Sequence, residues 1–231
     1  FAIEDRLGEL SHLLEVDDPL DGVALHRIEL EASIARGESD EAESEEEYAT
    51  LSAVGSPLHR RFDRRDAPEA FEREESIATL LSYLSDEAGR SVLLVGPPGV
   101  GKTTIVHDVV GHVIRGDVPE GLAEKQVWQV SGGRLMAGMR FLGQWQERVV
   151  EMARELREAG GILFVENLVE LLEASGNETY AEGIPGLLLP FIQSDELVLV
   201  TEARPEQLVH IEQRQPTLLR ALRRLQIEPM D

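Results

Sequence analysis

The sequence predicts an α/β domain with a mainly parallel sheet, and three observations carry this prediction. An apolar run over residues 91–95 leads directly into a glycine-rich loop, residues 96–103, which a helical segment follows. Beyond it, short apolar runs alternate with segments of helical spacing as far as residue 201. Short continuous apolar runs are typical of strands that are covered on both faces, and their alternation with helices indicates right-handed βαβ units.

Residues 1–37 are predicted to form a helical segment ahead of this domain. Residues 3–14 place apolar side chains at helical spacing, and Asp18-Pro19 provides a capping residue and a first-turn proline for a second helix that stops at Gly37.

Residues 38–66 are predicted to be an acidic linker followed by a basic connector. Residues 38–47 contain seven acids, and four arginines lie within residues 60–65. An acidic run favours a solvated linker, with a docking role as the alternative. The main domain is predicted over residues 67–231.

Within the main domain, each predicted helix or strand follows from its hydrophobic period. A nucleotide bound by such a sheet lies at the carboxyl ends of the strands. In chain order we expect a helix around 77–84, strand 91–95, helix 102–115, strand 127–131, helix 144–158, strand 161–166, a loop, a helix near 184–193, strand 197–201 and a last short strand over 222–227.

The loop after the first strand fits the phosphate-loop (P-loop, Walker A) pattern G-x-x-x-x-G-K-[ST] at every fixed position. Its glycines allow backbone N–H groups to turn toward phosphate oxygens, Lys102 reaches the β- and γ-phosphates, and the Thr103 hydroxyl holds Mg²⁺. The predicted cofactors are therefore ATP and Mg²⁺. The predicted nucleotide-binding residues are Gly96, Pro97, Pro98, Gly99, Val100, Gly101, Lys102, Thr103 and Thr104.

The composition limits the classes of function. The 231 residues carry 22 Lys and Arg against 44 Asp and Glu, a net charge of −22 that disfavours non-specific nucleic-acid binding. The absence of cysteine excludes a disulfide framework and agrees with a reducing compartment, so a cytoplasmic location is expected.

No apolar run approaches membrane-spanning length, so no membrane partner is predicted. The chain begins at Phe1 without a signal-peptide pattern, and we expect it to be a piece of a longer protein.

From about Arg73 to Pro229 the chain resembles the first ATPase module of the Clp-type AAA+ unfoldases, the ClpA/ClpB group. Residues 135–148 follow the family stretch L-x-A-G-x-[KR]-aromatic-x-G-x-aromatic-x-E-R, and segments 116–122 and 228–229 fall in the family order. The resemblance implies a three-layer αβα AAA+ domain, ATP hydrolysis, a homo-oligomeric ring of hexameric type and polypeptide clients.

In that family the stretch around residues 140–143 faces a central pore. Arg140 and Phe141 match its basic and aromatic positions, and the resemblance implies that they contact a polypeptide threaded through the ring of subunits. An aromatic side chain suits this role because its flat face packs against many kinds of side chain. The alternative is that Phe141 is a core residue. Trp145, at the start of the next helix, is expected to be core.

The acidic motif after the third strand departs from the family, which has Asp-Glu there. Glu166 stands at the metal-orienting Asp position, so Thr103 and Glu166 are the predicted metal residues. Asn167 stands at the position of the water-activating Glu, and an amide is no general base; that assistance is typically worth roughly 10²–10⁴ in rate. We therefore expect nucleotide binding with slow or absent hydrolysis.

Two further family positions bear on hydrolysis. The polar sensor after the fourth strand aligns with Ala203, with Thr201 as a possible substitute after a shift of register. Arg220 aligns with one member of an arginine pair that contacts the neighbour's γ-phosphate in the ring, and Arg223 and Arg224 are alternatives one turn away. The predicted catalytic set is thus Glu166, Asn167 and Arg220.

The resemblance also implies a small helical lid after Glu228-Pro229. No counterpart is present in this chain, and we expect truncation to be the reason.

Two functions remain open at this stage. One is the ATP-binding module of a protein-remodelling assembly, and the other is a non-hydrolysing, nucleotide-gated scaffold. A DNA-associated AAA+ protein is disfavoured by the charge of −22.

Overall fold

A computed structural model describes residues 48–62, 67–86, 90–139, 143–174 and 183–230. The chain divides into two compact units, Phe1–Glu47 and Tyr48–Asp231, and every described residue belongs to the second. The predicted helical segment over residues 1–37 and the acidic run over 38–47 therefore lie outside the described residues.

The described residues form a sheet with helices between its strands. The strands are β1 (Gly55–Pro57), β2 (Val92–Val95), β3 (Val127–Val130), β4 (Ile162–Val165), β5 (Val198–Ala203) and β6 (Arg223–Gln226). The helices are α1 (Ala49–Val54), α2 (Glu74–Leu84), α3 (Lys102–Arg115), α4 (Glu120–Ala123), α5 (Gly132–Met136), α6 (Gln144–Glu158), α7 (Leu168–Glu173), α8 (Gly183–Gln193), α9 (Leu208–Arg214) and α10 (Pro216–Ala221). None of the helices in these ranges is long and apolar enough to cross a membrane.

The sheet has the strand order β1-β3-β4-β5-β2-β6. Strand β1 pairs antiparallel with β3, and the other five strands are parallel. The carboxyl ends of β2, β4 and β5 consequently meet at one edge, which is where the phosphate loop and the acidic motif begin. The predicted mainly parallel sheet is confirmed.

The core consists of two apolar clusters, one on each face of the sheet. Leu93 and Val95 point into a cluster with the apolar sides of α1, α6 and α8, whereas Val92 and Leu94 point into a cluster with α2 and α3. Because successive strand residues face opposite layers, both faces are covered and the strands are apolar throughout. The predicted three-layer αβα architecture is confirmed, and Trp145 is buried in the first cluster, as expected.

The start of the domain differs from the sequence-based boundary. The sequence predicted a connector over residues 38–66, whereas α1, β1 and a 3₁₀ turn over Leu58–Arg60 belong to the compact unit. Strand β1 has three residues, too few to show an alternating pattern, and it is held by pairing with Trp128, Gln129 and Val130.

Helix α1 is attached to the domain by a buried carboxylate. Glu155 of α6 accepts hydrogen bonds from the backbone N–H groups of Thr50 at 3.2 Å and Leu51 at 2.6 Å. These N–H groups lie in the first turn of α1, where no backbone carbonyl is available to them. The negative charge is also favourable at a helix N-terminus.

We expect Glu155→Ala to lower the free energy of unfolding by about 2–3 kcal/mol, because one buried and one partly buried N–H group lose a charged acceptor. Glu155→Gln should cost less, since its amide oxygen still accepts. Glu158→Ala, at an exposed position of the same helix, is the control and should stay within roughly 0.5 kcal/mol of the wild type. Urea denaturation measures all three, and equal values for the two alanine variants would contradict this role of Glu155.

Candidate functional site

The phosphate loop depends on glycine for two different reasons. Gly99 and Gly101 have φ values of 78° and 91°, the left-handed region that other residues adopt only with strain. Gly96 instead lies against β6: a Cβ there would approach the carbonyl oxygen of Ile227 to 2.4 Å. The loop therefore combines a left-handed turn that glycine adopts without strain with a close contact to the end of the neighbouring strand.

Lys102 is the first residue of α3 and is folded over the loop. Its ammonium donates to the carbonyl oxygens of Gly96 and Pro97, both at 2.9 Å, and only 8% of the residue is exposed. An ammonium group has three donors, so one remains for a ligand. The N–H groups of Lys102, Thr103 and Thr104 lie in the first turn of the helix, where they are oriented to bind an anion.

Two cavities adjoin the loop, and Pro98 lines both. The outer cavity, of about 300 Å³, is bordered by Phe71, Arg73 and Thr104. The inner cavity, of about 190 Å³, is bordered by polar side chains from the ends of β4 and β5. The loop thus has a larger, more apolar space on one side and a smaller polar space on the other.

The outer cavity is built from a segment that the sequence analysis did not assign to the site. The backbone N–H of Ala70 donates to the buried Asp108 carboxylate at 2.9 Å, which fixes the segment to α3. Arg73 donates to the loop carbonyl of Val100 at 2.9 Å. Phe71 is 75% exposed, and an exposed aromatic ring beside an open cavity suits a flat ligand such as a nucleobase. In the sequence, the signal for this part of the site was an isolated Phe shortly before a predicted helix.

Glu166, the predicted metal residue, borders the inner cavity, but another side chain holds it. The Gln129 amide donates to the Glu166 carboxylate at 2.5 Å, and Arg61 donates to the Gln129 side-chain oxygen at 3.2 Å. Glu166 is therefore connected to the edge of the sheet through Gln129, a residue that the sequence analysis did not single out.

Asn167 also borders the inner cavity, but its side chain caps a helix. Its Oδ1 accepts from the N–H groups of Val169 at 3.1 Å and Glu170 at 3.4 Å, in the first turn of α7. Asn is among the best residues for this position. The side-chain oxygen is thus directed to the helix, and the residue has a structural function in place of the general base expected of a glutamate.

Glu202 is the acidic residue that the sequence analysis missed. It borders the inner cavity and is only 6% exposed. Burial raises the pKa of its carboxyl to about 7; a hydrogen bond from the Thr103 side chain and the Lys102 charge oppose this rise, while the Glu166 charge adds to it. Its Oε1 is buried without a hydrogen-bond partner.

Ala203, the residue aligned with the sensor position, borders the inner cavity beside Glu202. Ala203 is buried as the partner of Val95, and its carbonyl accepts from the Gly96 N–H at 3.3 Å. Thr201, the suggested substitute, donates its hydroxyl to the Val165 carbonyl at 2.8 Å inside the sheet. A single acid within an otherwise uncharged strand was the signal that could have identified Glu202.

Arg220, another predicted catalytic residue, does not border this cavity. Arg220 is exposed on α10, where its guanidinium is 3.5 Å from the Thr217 hydroxyl. Arg140 and Phe141 lie outside the described residues. The described chain just before them is fixed by Arg148, which donates to the carbonyl oxygens of Leu135 at 3.3 Å and Ala137 at 2.8 Å.

The described residues fit a magnesium-bound nucleotide. Gly99 and Gly101 leave the space beside the loop open, and the unpartnered oxygen of Glu202 is an acceptor suited to a cation or its water. Among the described residues, no group of three or more His, Cys, Asp or Glu side chains is placed to hold a metal by itself. A cation here would rely on phosphate oxygens, as Mg²⁺ usually does.

Comparisons with known proteins agree with this geometry. Residues 92–227 match the profile of the ATPase family associated with various cellular activities (AAA). The chaperone protein ClpB 1 of Synechocystis sp. is 31% identical over 85% of this chain and 22% of its own length. ClpB of Lactiplantibacillus plantarum is 30% identical over 68% of this chain and 18% of its own length. The chain thus spans about a fifth of the length of these relatives.

Solved structures show the same fold. The chain resembles a structure of the S. cerevisiae Hsp104:casein complex in an extended conformation, with a TM-score of 0.68, 19% identity and coverage of 77% of this chain and 30% of that one. A closed-state reconstruction of Hsp104 with ATPγS and FITC casein has a TM-score of 0.69, 21% identity and coverage of 79% and 31%.

We expect the stability of the nucleotide-free protein to fall as pH rises from about 4.5 to about 7, through Glu202. Between its ordinary pKa of 4.5 and its folded pKa of about 7, the folded state keeps a proton that the unfolded state has released. At about 1.4 kcal/mol per pH unit, this contribution is on the order of 3 kcal/mol, present below pH 4.5 and lost above pH 7.

The measurement compares the wild type with Glu202→Gln, which cannot titrate, by urea denaturation across this pH range. The stability of the variant should rise relative to the wild type by about 3 kcal/mol as pH rises. The exposed Glu158→Gln serves as the control and should show no such trend. A difference between wild type and Glu202→Gln that does not vary with pH would contradict the assignment.

Proposed function

Because the chain belongs to the AAA family of ATPases, as a Clp-type AAA+ ATPase module, we propose that it binds ATP with Mg²⁺ and remodels polypeptides as part of a ring. The single observation that carries this proposal is that Lys102, at the end of the phosphate loop, and Glu166, at the end of β4, border one cavity at the carboxyl edge of the parallel sheet. The relatives named above are chaperones, but they are about five times longer than the region matched here, so their activity is part of the proposal.

The nucleotide would lie along the phosphate loop, with its base in the outer cavity and its terminal phosphate in the inner one. Phe71 and Arg73 would border the base, while the N–H groups at the start of α3 and the Lys102 ammonium would bind phosphate oxygens. Thr103 and the inner carboxylates would hold the cation, which neutralises charge on the phosphates during phosphoryl transfer.

The polypeptide would be contacted by Arg140 and Phe141, which follow the segment that Arg148 fixes. The Hsp104 structures contain casein, which supports a polypeptide as the partner class. Arg220 is exposed, so it remains accessible to a nucleotide bound by a neighbouring subunit. A hexameric ring in the cytoplasm is the assembly that we propose from these relatives.

Hydrolysis would be slow in this module. Asn167 lacks a carboxylate, and its oxygen is occupied by the backbone of α7. This observation favours a second candidate function, a nucleotide-gated scaffold that binds ATP and does not hydrolyse it. The two candidates share the binding site and differ only in turnover.

Lys102→Ala should weaken ATP binding by at least roughly 100-fold, about 3 kcal/mol, because the only lysine in the inner cavity is lost. Lys125, the only other lysine of the chain, borders a different cavity, so Lys125→Ala is the matched control with unchanged affinity. Isothermal titration calorimetry measures both. Unchanged affinity in Lys102→Ala would refute the proposed site.

Asn167→Glu should raise ATP turnover by roughly 10²-fold or more, because it supplies a carboxylate at the position of the general base. Asn167→Asp is the matched control, because it introduces the same negative charge as Asn167→Glu. Asp caps a helix as well as Asn does, so its carboxylate should stay bound to the N-terminus of α7 and turnover should change little. Turnover is measured by phosphate release at saturating ATP. Wild-type turnover already within the ordinary range of about 1–100 s⁻¹, with no gain in Asn167→Glu, would contradict weakened hydrolysis.

A further inference from the structure

A second basic side chain, at the end of β5, borders the inner cavity beside Lys102. Arg204 directly follows β5, which lies between β4 and β2 in the strand order. It borders the cavity together with Lys102 of α3 and Glu166, which follows β4. Because β2 leads into the phosphate loop, the residue after β5 lies between that loop and the acidic motif.

The backbone that carries Arg204 is fixed to the phosphate loop. The carbonyl oxygen of Ala203, the preceding residue, accepts from the Gly96 N–H at 3.3 Å. The Arg204 N–H donates to the Gln207 side-chain oxygen at 2.8 Å, and the Gln207 N–H donates to the Arg204 carbonyl at 3.0 Å. Pro205 follows and favours the extended backbone that Arg204 adopts, with φ of −88° and ψ of 152°. The fold therefore sets the point from which this side chain extends.

The guanidinium of Arg204 is not engaged by the protein. Arg204 is exposed, and among the described residues none accepts a hydrogen bond from its side chain or forms an ion pair with it. Arg73 and Arg148, in contrast, donate to backbone carbonyls. An arginine side chain presents five N–H donors in one plane. These donors are available to a ligand in the inner cavity.

The terminal phosphate is the part of the proposed nucleotide that this cavity would hold. In that binding mode the base lies in the outer cavity, the phosphates follow the loop, and the terminal phosphate enters the inner cavity beside Arg204. A diphosphate with its base in the same place is one phosphate shorter and would end at the loop. A planar guanidinium pairs with two phosphate oxygens at once, which an ammonium cannot do. Arg204 would therefore contact a triphosphate and not a diphosphate.

The charges of the inner cavity give a second reason for this pairing. Glu166 and Glu202 border the cavity, and their carboxylates disfavour a further anion. Lys102 directs two of its three donors to backbone carbonyls of the loop, so one remains for a phosphate. Arg204 adds a full positive charge at the same cavity, whereas Arg220 does not border it.

We propose that Arg204 makes the site selective for nucleoside triphosphates over diphosphates, by binding the terminal phosphate from within the same chain. The inference rests on the proposed nucleotide binding and names a specificity residue for it. The contact expected of Arg220 needs a neighbouring subunit, whereas the contact of Arg204 needs none. The selectivity should therefore be a property of each subunit by itself.

The experiment measures the affinities for AMP-PNP, a non-hydrolysable ATP analogue, and for ADP, both with Mg²⁺, by isothermal titration calorimetry. Arg204→Gln should lower the affinity for AMP-PNP by roughly 10–100-fold, because hydrogen bonds between a charged donor and a phosphate are lost. Its affinity for ADP should change by less than about 3-fold. The ratio of the two affinities is the readout, since damage to the fold would weaken the binding of both nucleotides.

Two further variants are matched controls. Arg204→Lys keeps the positive charge but loses the planar pair of donors, so its affinity for AMP-PNP should lie between those of the wild type and Arg204→Gln. Arg214→Gln makes the same change as Arg204→Gln at an exposed arginine of α9 that does not border the cavity, and both affinities should stay at their wild-type values. Dilution of the wild-type protein should leave the ratio of affinities unchanged.

The outcomes separate this inference from the proposed function. A ratio of affinities that falls by less than about 10-fold in Arg204→Gln would overturn the inference, while nucleotide binding stands. A ratio that falls in Arg220→Gln but not in Arg204→Gln, or that falls on dilution, would assign the terminal phosphate to an arginine of a neighbouring subunit and overturn it as well. A wild-type protein that binds neither AMP-PNP nor ADP would refute the proposed function itself.

Discussion

The pairing of β5 with β2 on one side and β4 on the other is the constraint on which the site depends. Its parallel ladder aligns Val95 with Ala203 and Val165 with Thr201, so that three strands end at one edge. Within that edge the Thr201 hydroxyl donates to the Val165 carbonyl, which ties β5 to β4. The phosphate loop, the acidic motif and Glu202 take their relative positions from these hydrogen bonds.

A bound triphosphate would bring negative charge next to two carboxylates at this edge. Glu166 and Glu202 border the inner cavity together with Lys102 and Arg204, and the phosphates would add further negative charge there. A divalent cation resolves this conflict because it attracts both the carboxylates and the phosphates. The raised pKa of Glu202, at about 7, has the same origin, since burial and a neighbouring carboxylate disfavour its charged form.

Two side chains show how local structure changes the meaning of a motif. Asn167 stands where a general base is expected, but α7 begins one residue later and the amide caps it. Glu166 stands at the metal position, but Gln129 of β3 holds its carboxylate. At both positions of the acidic motif, a partner within the protein therefore engages the side chain.

The phosphate loop, the central strands and helices α3 and α6 follow from the sequence alone, because their signals lie within one stretch of chain. Hydrophobic period sets the elements, and glycine at Gly99 and Gly101 sets the loop. Only the tertiary structure decided that Glu202 borders the same cavity as Lys102, that Gln129 holds Glu166, and that residues 48–60 join the domain through Glu155. Those contacts join residues 37 to about 100 positions apart, and no local pattern encodes which distant partners the folded sheet will bring together.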